Sequence, residues 1–283
     1  MEPLLVFCHL KVDPDNVYSP ERDSVVKVEN CLDIVVDIVL FYIKTYKEKM
    51  GTKYNPRIIS NGLTVYLDAA NTRSYAGSGF TVNPLVGGIG GTLVNGIGFS
   101  SQNNGSFFYD GSDDYFRFPL NFFVHDSGSP FTISVWFKTA TSGMIFGQEN
   151  GATPGAGGGW VPAIYVDTNG KIRTSCFWGG STTNQSISSA SVNDNLWHQI
   201  TVTFESTSHK SFLDGILFDT IAKTQTFYSL TYYYYLGSGK IAAWPNAGNM
   251  TLSGNISNFM FYNRALSATE VLQNYNATKG RYR

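Results

Sequence analysis

The chain has 283 residues, a net charge of −1, 15 % aromatic residues, 29 glycines and only 14 % charged residues. This composition is typical of a globular protein built from strands and turns, and it excludes a largely disordered chain. The balanced charge and a pI near 6.4 exclude the clustered basic surface that binding to DNA or RNA requires, so no nucleic-acid partner is expected.

The cysteines and the apolar stretches indicate whether the protein is disulfide-bonded, secreted or membrane-spanning. The three cysteines, Cys8, Cys31 and Cys176, are an odd number and lie far apart, which argues against a disulfide-stapled module. The apolar stretches at residues 4–8 and 38–43 are too short for the core of a signal peptide or for the roughly 20 residues of a membrane span. We therefore expect a soluble protein with no signal peptide, no transmembrane segment and no membrane partner.

The balance of acidic and basic residues changes near residue 50. Residues 1–50 contain nine acids and six bases, whereas residues 51–283 contain 12 acids and 14 bases. The change predicts two units, an N-terminal segment over residues 1–50 and a β-rich domain over residues 55–280. A translation start at Met50 is another interpretation of the same boundary.

The N-terminal segment has a helical pattern. Apolar residues from Val25 to Tyr46 recur at alternating spacings of three and four, which predicts an amphipathic helix. Such a helix could form a homo-oligomer, a trimer, through residues 25–46, or dock on the β-rich domain. The many β-branched residues favour a strand or an unstructured arm instead.

From Gly62 onward the sequence predicts strands separated by Gly, Asn, Ser and Pro. The clearest strands are residues 63–67, 106–110, 114–118, 131–138 and 198–204. Two hairpins are also predicted, one with its turn at residues 167–170 and one in which Asp214 and Gly215 supply the positive φ of a tight turn. Because no helices alternate with these strands, we predict an all-β fold, a two-sheet antiparallel jelly-roll sandwich.

The end of the sequence predicts a strand followed by a short C-terminal helix. Along residues 256–262 the side chains alternate, with Ile256, Asn258, Met260 and Tyr262 on one side and Ser257, Phe259 and Phe261 on the other.

Ser267 and Glu270 form a capping box that starts the helix, and Leu266 can pack on Val271 as a hydrophobic staple. Val271, Leu272 and Tyr275 would then turn a small apolar side towards the sandwich.

Six segments of the β-rich part occur in an order that is typical of one family. They are "NGLTVYLDAANTRSYAGSG" (61–79), "GTLVNGIGFSSQNNGSFFYDGSDDYFRFP" (91–119), "FTISVWFK" (131–138), "NLWHQITVTFE" (195–205), "SFLDGILF" (211–218) and "GNISNFMFYNRALSATEV" (254–271). Together they resemble the laminin G-like, or concanavalin A-like lectin and glucanase, jelly-roll family over roughly residues 59–277.

The opening "GLTVYLDAANTRSY" is similar to virion-associated proteins of tailed phages, in which such domains are implied to decorate capsids, tails or fibres. One segment departs from the family pattern. Residues 80–91 read "FTVNPLVGGIGG" where relatives often have a Trp and an Asp-containing turn, so a metal ligand from that turn is in doubt.

The same jelly roll hosts glycoside hydrolases, which need two carboxylates flanking the scissile bond. In one large group of these enzymes the carboxylates follow the pattern Glu-x-Asp-x-x-Glu, but Glu149, Glu205 and Glu270 have no acid two residues on. The histidines have no catalytic motif around them, and His198 shares its parity with buried strand positions. We therefore expect no enzymatic activity.

The family resemblance implies a Ca²⁺ site at one rim of the sandwich. "DGSDD" (110–114) gathers three carboxylates within five residues, and carboxylate oxygens are the ligands that Ca²⁺ prefers. Asp and Gly are also the residues that ordinary turns use. Asp110 and Asp114 are the candidate Ca²⁺ ligands, and Asp68 is a weaker candidate at the end of the first strand.

Loop aromatics and amides are the candidate carbohydrate-binding residues. Sugar C–H faces stack on aromatic rings and sugar hydroxyls bind planar polar groups. The candidates are Trp160, Trp178, Trp244, Asn184 and Gln185. Trp160 ends a glycine-rich loop, which can bring backbone close to a ligand or simply connect two strands.

Two aromatic features belong to strands. Trp136 lies on the face opposite Phe131, Ile133 and Val135, and we predict that it packs as a structural residue. The "TYYYYL" run (231–236) places aromatics on both faces of its strand, so one face is expected in the core and the other at a groove, a neighbouring subunit or solvent.

These observations predict a non-catalytic recognition or adhesion module that binds a surface polysaccharide or glycan. The expected setting is a phage virion, as a tail, fibre or capsid-decoration protein, or a soluble surface-associated location. The alternative is a purely structural decoration or assembly protein that contacts only other virion proteins. A polysaccharide-cleaving enzyme is the third hypothesis.

Overall fold

The computed structural model describes residues 57–282 apart from 126–127, 178–183, 225–231, 241–243 and 249. The chain divides into two units, Met1–Asn55 and Pro56–Arg283, and every described residue belongs to the second. The predicted N-terminal helix and the oligomer seam at residues 25–46 lie outside the described residues and stay predictions.

The described residues form strands and one C-terminal α-helix. The strands are β1 Leu63–Asp68, β2 Thr81–Val82, β3 Gly91–Val94, β4 Gly98–Ser100, β5 Ser106–Asp110, β6 Tyr115–Arg117, β7 Phe131–Thr139, β8 Gly143–Glu149, β9 Gly159–Val166, β10 Lys171–Ser175, β11 Ser186–Ser191, β12 Trp197–Glu205, β13 Ser208–Leu213, β14 Ile216–Ala222, β15 Tyr233–Leu236 and β16 Ser253–Tyr262. Helix α1 spans Ala268–Thr278 and continues into a 3₁₀ turn, Lys279–Tyr282. None of the described helical segments combines the length and apolar character needed to cross a membrane.

The strands form two antiparallel sheets. Sheet A has the order β14-β13-β12-β7-β16-β5-β4, and β1 pairs with the last part of β16. Sheet B has the order β11-β10-β9-β8-β15-β6-β3-β2. The predicted all-β, two-sheet antiparallel sandwich with a short C-terminal helix is confirmed.

Both predicted hairpins form. Asp167 to Gly170 connects β9 to β10, and the Lys171 carbonyl accepts a hydrogen bond from the Asp167 N–H at 2.8 Å. Asp214 and Gly215 have φ values of 51° and 79°, the left-handed conformation that a tight turn between β13 and β14 requires.

The inner faces of the two sheets bury one continuous core. β7 contributes Phe131, Ile133, Val135 and Phe137, as its alternation predicts. Aromatic rings from both sheets meet around Phe259 of β16, and the ring of Phe118 lies 4.8 Å from it and that of Phe146 5.9 Å from it. Apolar burial of this extent is the main stabilising contribution to the sandwich.

The predicted alternation of β16 is interrupted. The pairing of β16 with β7 shifts register between Ile256 and Phe259, so Ile256 joins Phe259 and Phe261 in the inner core instead of the Met260 side. An irregularity of this kind changes which face the following residues occupy.

Helix α1 and the 3₁₀ turn cover part of the outer face of sheet A. The indole of Trp136 stacks on Tyr282 at 4.1 Å and on Tyr275 at 5.6 Å. Its Nε1–H donates to the Thr278 hydroxyl at 2.9 Å. The prediction that Trp136 is structural and lies away from the main core is confirmed.

The predicted cap of α1 is present. The Glu270 N–H donates to Ser267 Oγ at 3.3 Å, and the Ser267 N–H donates to Glu270 Oε2 at 2.9 Å. Leu266 and Val271 are buried in one cluster, which confirms the staple. The prediction for Leu272 was wrong, because this side chain is 44 % exposed.

Replacing Ser267 by Ala should lower the free energy of unfolding by about 1 kcal/mol, because the N–H of Glu270 loses its acceptor. Chemical denaturation of the two proteins measures the difference. The control is Ser78→Ala, a change at an exposed loop serine that should have no effect. Equal stability of Ser267→Ala and the wild type would contradict the role of the cap.

Candidate functional site

The candidate Ca²⁺ ligands Asp110 and Asp114 lie in the turn between β5 and β6, here called the acidic turn (110–114). One carboxylate oxygen from each of Asp110, Asp113 and Asp114 lies within 4.8 Å of the others. Two of these acids were singled out from the sequence. The third, Asp113, was not, although it belongs to the same "DGSDD" segment.

The acidic turn is held in shape by its own side chains. The Ser112 N–H donates to Asp110 Oδ1 at 2.7 Å, and the Asp110 N–H donates to Asp114 Oδ2 at 3.0 Å. Gly111 has a φ of +87°, which favours glycine at this position. The tight turn therefore brings its carboxylates onto one side.

Two neighbouring segments fix the turn from outside. The Asn95 side-chain amide donates to the Asp113 carbonyl at 2.9 Å, and the Thr251 hydroxyl donates to the Gly111 carbonyl at 2.6 Å. These bonds connect the turn to the loop before β4 and to the segment after β15. Contacts with distant parts of the chain therefore help to hold the turn in place.

Asp114 is in an unfavourable position for a charged group. It is 2 % exposed, and its Oδ1 has no hydrogen-bond partner among the described residues. Burial raises the pKa of the Asp114 carboxyl, the N–H of Asp110 lowers it, and repulsion from Asp110 and Asp113 raises it further. A buried carboxylate oxygen without a partner costs free energy that a bound cation would offset.

The acidic turn fits a divalent cation of the size of Ca²⁺. Ca²⁺ binds oxygen ligands at about 2.3–2.6 Å, so two ligands on opposite sides of it lie about 5 Å apart. The three carboxylate oxygens are within 4.8 Å of one another, which allows all of them to contact one ion. The acidic turn could therefore hold a metal through Asp110, Asp113 and Asp114, and the partnerless Oδ1 of Asp114 agrees with this.

A cavity of about 250 Å³, here called the rim pocket, lies beside the acidic turn. Its polar and aromatic lining includes Asn95, Ser112, Asp113, Tyr115, Thr153 and Thr251. The phenol ring of Tyr115 contacts that of Tyr235 edge to face at 5.4 Å. Asp113 belongs to both the acidic turn and the pocket wall, so a cation at the turn would lie close to a bound molecule.

The glycine-rich loop after β8 forms another wall of the rim pocket. The Gly155 N–H donates to both carboxylate oxygens of Glu149, at 2.8 and 3.0 Å, and the Tyr235 hydroxyl donates to the Gly151 carbonyl at 2.6 Å. Burial raises the pKa of Glu149, and the N–H of Gly155 offsets part of this effect. Specific contacts therefore position this loop beside the pocket.

Two of the predicted sugar-binding residues, Trp244 and Gln185, both contact Tyr165 on the outer face of sheet B, in a cluster that is mostly buried. The Trp244 ring lies 6.0 Å from the Tyr165 ring, and Gln185 Oε1 accepts hydrogen bonds from the Tyr165 hydroxyl and from Arg173, both at 3.2 Å. Gln185 is 3 % exposed, and Arg173 is also paired with Asp167 at 2.6 Å. Only Trp244 is partly exposed in this cluster.

The other predicted sugar-binding residues are not brought to that cluster or to the rim pocket. Asn184 is buried, and its Oδ1 accepts a hydrogen bond from Lys223 Nζ at 2.8 Å. Trp160 lies in β9 opposite Gln148, but its side chain is outside the described part of the structure, and so is all of Trp178. Both tryptophans stay predictions.

Asp68 is engaged elsewhere. Its Oδ1 is paired with Arg281 at 2.6 Å, and its Oδ2 accepts a hydrogen bond from the Tyr66 hydroxyl at 3.1 Å. Arg281 also donates to the carbonyl oxygens of Asn103 and Gly105. This placement ties the C-terminal turn to sheet A and gives the metal prediction for Asp68 no support.

Comparison with known proteins gives the family of the chain. Residues 110–272 match the family described as the concanavalin A-like lectin/glucanases superfamily. The chain belongs to this superfamily. The match begins at Asp110, the first acid of the acidic turn. No protein in a comparison with curated sequences matched the chain.

Solved structures share the concanavalin A-like fold at low sequence identity. A Trypanosoma rangeli sialidase in complex with sialic acid is 12 % identical with a TM-score of 0.57, and the match covers 87 % of this chain but 39 % of the sialidase. The botulinum neurotoxin type G receptor binding domain is 17 % identical with a TM-score of 0.51, over 76 % of this chain and 51 % of that chain.

Domain 4 of AbnA, an extracellular arabinanase from Geobacillus stearothermophilus solved in complex with arabinotriose, is 13 % identical with a TM-score of 0.50. This match covers 75 % of our chain and 98 % of that domain. At these identities the comparisons show the fold of the concanavalin A-like domain and nothing finer.

Calcium should stabilise the protein if the acidic turn binds it. At 100 times its dissociation constant a bound ion adds about 2.7 kcal/mol to the free energy of unfolding, seen as a higher melting temperature. Asp113→Asn should reduce this gain, whereas Asp219→Asn on β14 should keep it. Thermal melts with Ca²⁺, Mg²⁺ or chelator measure the effect, and a gain that survives Asp113→Asn would exclude the site.

Asp114 should make the metal-free protein less stable as the pH rises. Its pKa is raised in the folded state, so between the ordinary value near 4 and the raised value the folded protein binds more protons than the unfolded one. The stability contribution is present at lower pH and is lost as the pH rises through this window. Asp114→Asn should remove that part of the pH dependence in denaturation curves recorded in chelator, and unchanged curves would contradict the raised pKa.

Proposed function

We propose that the protein is a non-catalytic glycan-binding module whose site is the rim pocket, supported by a divalent cation at the acidic turn. The observation that supports this most directly is the position of Asp113. It is one of the three clustered carboxylates and also part of the pocket lining. A cation there would fix one wall of the pocket.

The pocket lining has the chemistry that sugars require. The hydroxyls of Ser112 and Thr153 make no hydrogen bond with the described residues, so they are available to sugar hydroxyls, and Tyr115 supplies an aromatic surface. Few precisely placed polar groups beside an aromatic ring are typical of carbohydrate sites. The glycine-rich loop contributes Thr153, Pro154 and Gly155 to the wall of the cavity.

The fold comparisons agree with glycan binding as the class of function. The AbnA domain was solved with arabinotriose, and the sialidase was solved with sialic acid. The other neighbour is a receptor binding domain. Because these chains share only the fold with our protein, the glycan and the site are proposals for this chain.

Carboxylates of the described domain make structural hydrogen bonds and ion pairs, which supports a non-catalytic role for the protein. Both oxygens of Glu149 accept from one loop N–H, and the Glu270 carboxylate binds Arg264 and the helix cap. His198 lies between Asp214 at 2.8 Å and Asp194 at 3.2 Å. Burial alone would lower the pKa of His198, but the two carboxylates raise it, so the three side chains form a local charged network.

The proposed setting is a phage virion, as part of a tail, fibre or capsid decoration. The support is the similarity of the opening segment "GLTVYLDAANTRSY" to virion-associated proteins. The alternative is a decoration protein that only contacts other subunits. One observation favours it: Ile216 is 69 % exposed and Leu217 is 46 % exposed at the start of edge strand β14, where apolar side chains suit a protein interface.

A glycan array probed with and without Ca²⁺ tests the proposal. We expect binding that weakens in chelator. Thr153→Trp should fill the pocket and weaken binding about tenfold or more, a loss of at least about 1.4 kcal/mol. The matched control is Thr220→Trp, the same change at an exposed position of β14 on the other sheet.

Two results would count against glycan binding at the rim pocket. Silence of the array in both conditions would favour the decoration protein. Equal affinities of the two tryptophan variants would place the site elsewhere on the domain.

A further inference from the structure

A second and larger cavity lies on the outer face of sheet B. Its volume is about 550 Å³, and we call it the Arg117 cleft. It opens between β2, β3 and the segment after β6, and its lining includes Thr81, Thr92, Arg117, Leu120 and Tyr233. A volume of this size is typical of small-molecule sites.

Strand alternation explains which side chains face the cleft. Leu93 of β3, Phe116 of β6 and Tyr234 of β15 lie in the inner core. Their neighbours in each strand therefore point to the opposite face, away from the core. β6 pairs with both other strands, so Thr92, Arg117 and Tyr233 are brought to one surface.

Arg117 provides the cleft with an unpaired positive charge. Its side chain is exposed and makes no ion pair or hydrogen bond with the described residues. The described lining contains no Asp or Glu that could neutralise it. A guanidinium presents parallel N–H donors that match the two oxygens of a carboxylate, and such bonds are stronger than those between neutral groups.

The Arg117 cleft and the rim pocket lie along the same strand, β6. Tyr115 lines the rim pocket and Arg117 lines the cleft, and the two residues are two positions apart on the same face of β6, about 7 Å. Tyr235 connects them, because it pairs with Arg117 in the sheet and its ring contacts Tyr115. One extended molecule could therefore reach both cavities.

We infer that the Arg117 cleft is an acidic subsite, which binds a carboxylated sugar residue of a glycan whose neighbouring residue reaches the rim pocket. This inference rests on the proposed glycan binding and adds the class of ligand. Arg117 would bind the carboxylate, the Tyr233 ring would contact the sugar ring, and the hydroxyls of Thr81 and Thr92 would bind sugar hydroxyls.

Matched pairs of glycans that differ only in charge test this inference. The probes are sialyllactose with its methyl ester, and trigalacturonate with its fully methyl-esterified form, each titrated calorimetrically in Ca²⁺ buffer. We expect the carboxylated member of at least one pair to bind about 10- to 100-fold more tightly than its neutral partner, the effect of one charge-assisted bond. The preference should decrease as salt is added.

Three variants assign the preference to Arg117. Arg117→Gln should abolish the preference by weakening binding of the carboxylated glycan to the level of its neutral partner, and Arg117→Lys should keep part of the preference. The matched control is Lys210→Gln, which removes one exposed positive charge from sheet A and should change nothing.

Different outcomes separate the two proposals. Equal binding of charged and neutral partners, or a preference that survives Arg117→Gln, would overturn the acidic subsite and leave glycan binding in place. No binding of any probe, combined with silence of the glycan array, would overturn both.

A steric variant gives a second measurement that does not depend on charge. A Cβ atom added at Gly88, in the loop that lines the cleft, meets no atom within 4 Å, so Gly88→Trp should fold. It should weaken binding of the carboxylated glycan, because the indole occupies part of the cleft. Unchanged affinity of a folded Gly88→Trp protein would contradict the placement of the sugar beside this loop.

Discussion

The structure depends on strand β16 being buried on both faces. On the inner face Phe259 and Phe261 belong to the core between the sheets, and on the outer face Met260 and Tyr262 belong to the cluster under helix α1. A strand of this kind is unstable in water unless both of its faces are covered. Helix α1 supplies the outer cover, so the two halves of the fold stabilise each other.

The contacts that hold the helix are spread along the chain. The Asn274 side chain donates to the Tyr262 hydroxyl at 2.9 Å, and that hydroxyl donates to the Ile59 carbonyl at 3.0 Å. Arg281, beyond the helix, bonds to Asp68 and to the Gly105 carbonyl. Residues from both ends of the described domain therefore meet at the centre of sheet A.

The helix covers the outer face of sheet A around Trp136, so we place the proposed ligand site on sheet B. Trp136, on the outer face of sheet A, is stacked under Tyr275 and Tyr282 and is 2 % exposed. The outer face of sheet B is covered by loops instead of a helix, and both cavities open there, one beside Tyr115 and one beside Arg117. The asymmetry between the two sheets is the physical reason for placing the site on sheet B.

Local signals explain how far the sequence predicts the fold. Strand alternation and turn residues depend on neighbours within a few positions, so β5, the Asp214–Gly215 turn and the Ser267 cap are predictable. The register shift between Ile256 and Phe259 is not, because it depends on pairing with β7.

The site depends on contacts that sequence patterns do not specify. Asp68 pairs with Arg281, which lies 213 positions later in the sequence. This ion pair, and not a metal site, accounts for the position of the Asp68 carboxylate. Arg117 and Tyr233 line one cleft only because β6 pairs with β15. Asp110 and Asp114 were predictable as a cluster, since a single turn brings them together.

The acidic turn and Arg117 also influence each other electrostatically. Asp114 precedes β6 and Arg117 ends it, so their backbones are about 10 Å apart, close to the distance at which salt screens charges in solution. Without a cation, the turn presents three acids that repel an anionic glycan. A bound Ca²⁺ would offset two of the three negative charges and so weaken that repulsion near Arg117. In the proposed site, binding of the ion and of a carboxylated sugar would then be coupled, and linkage requires each to raise the affinity of the other by the same factor.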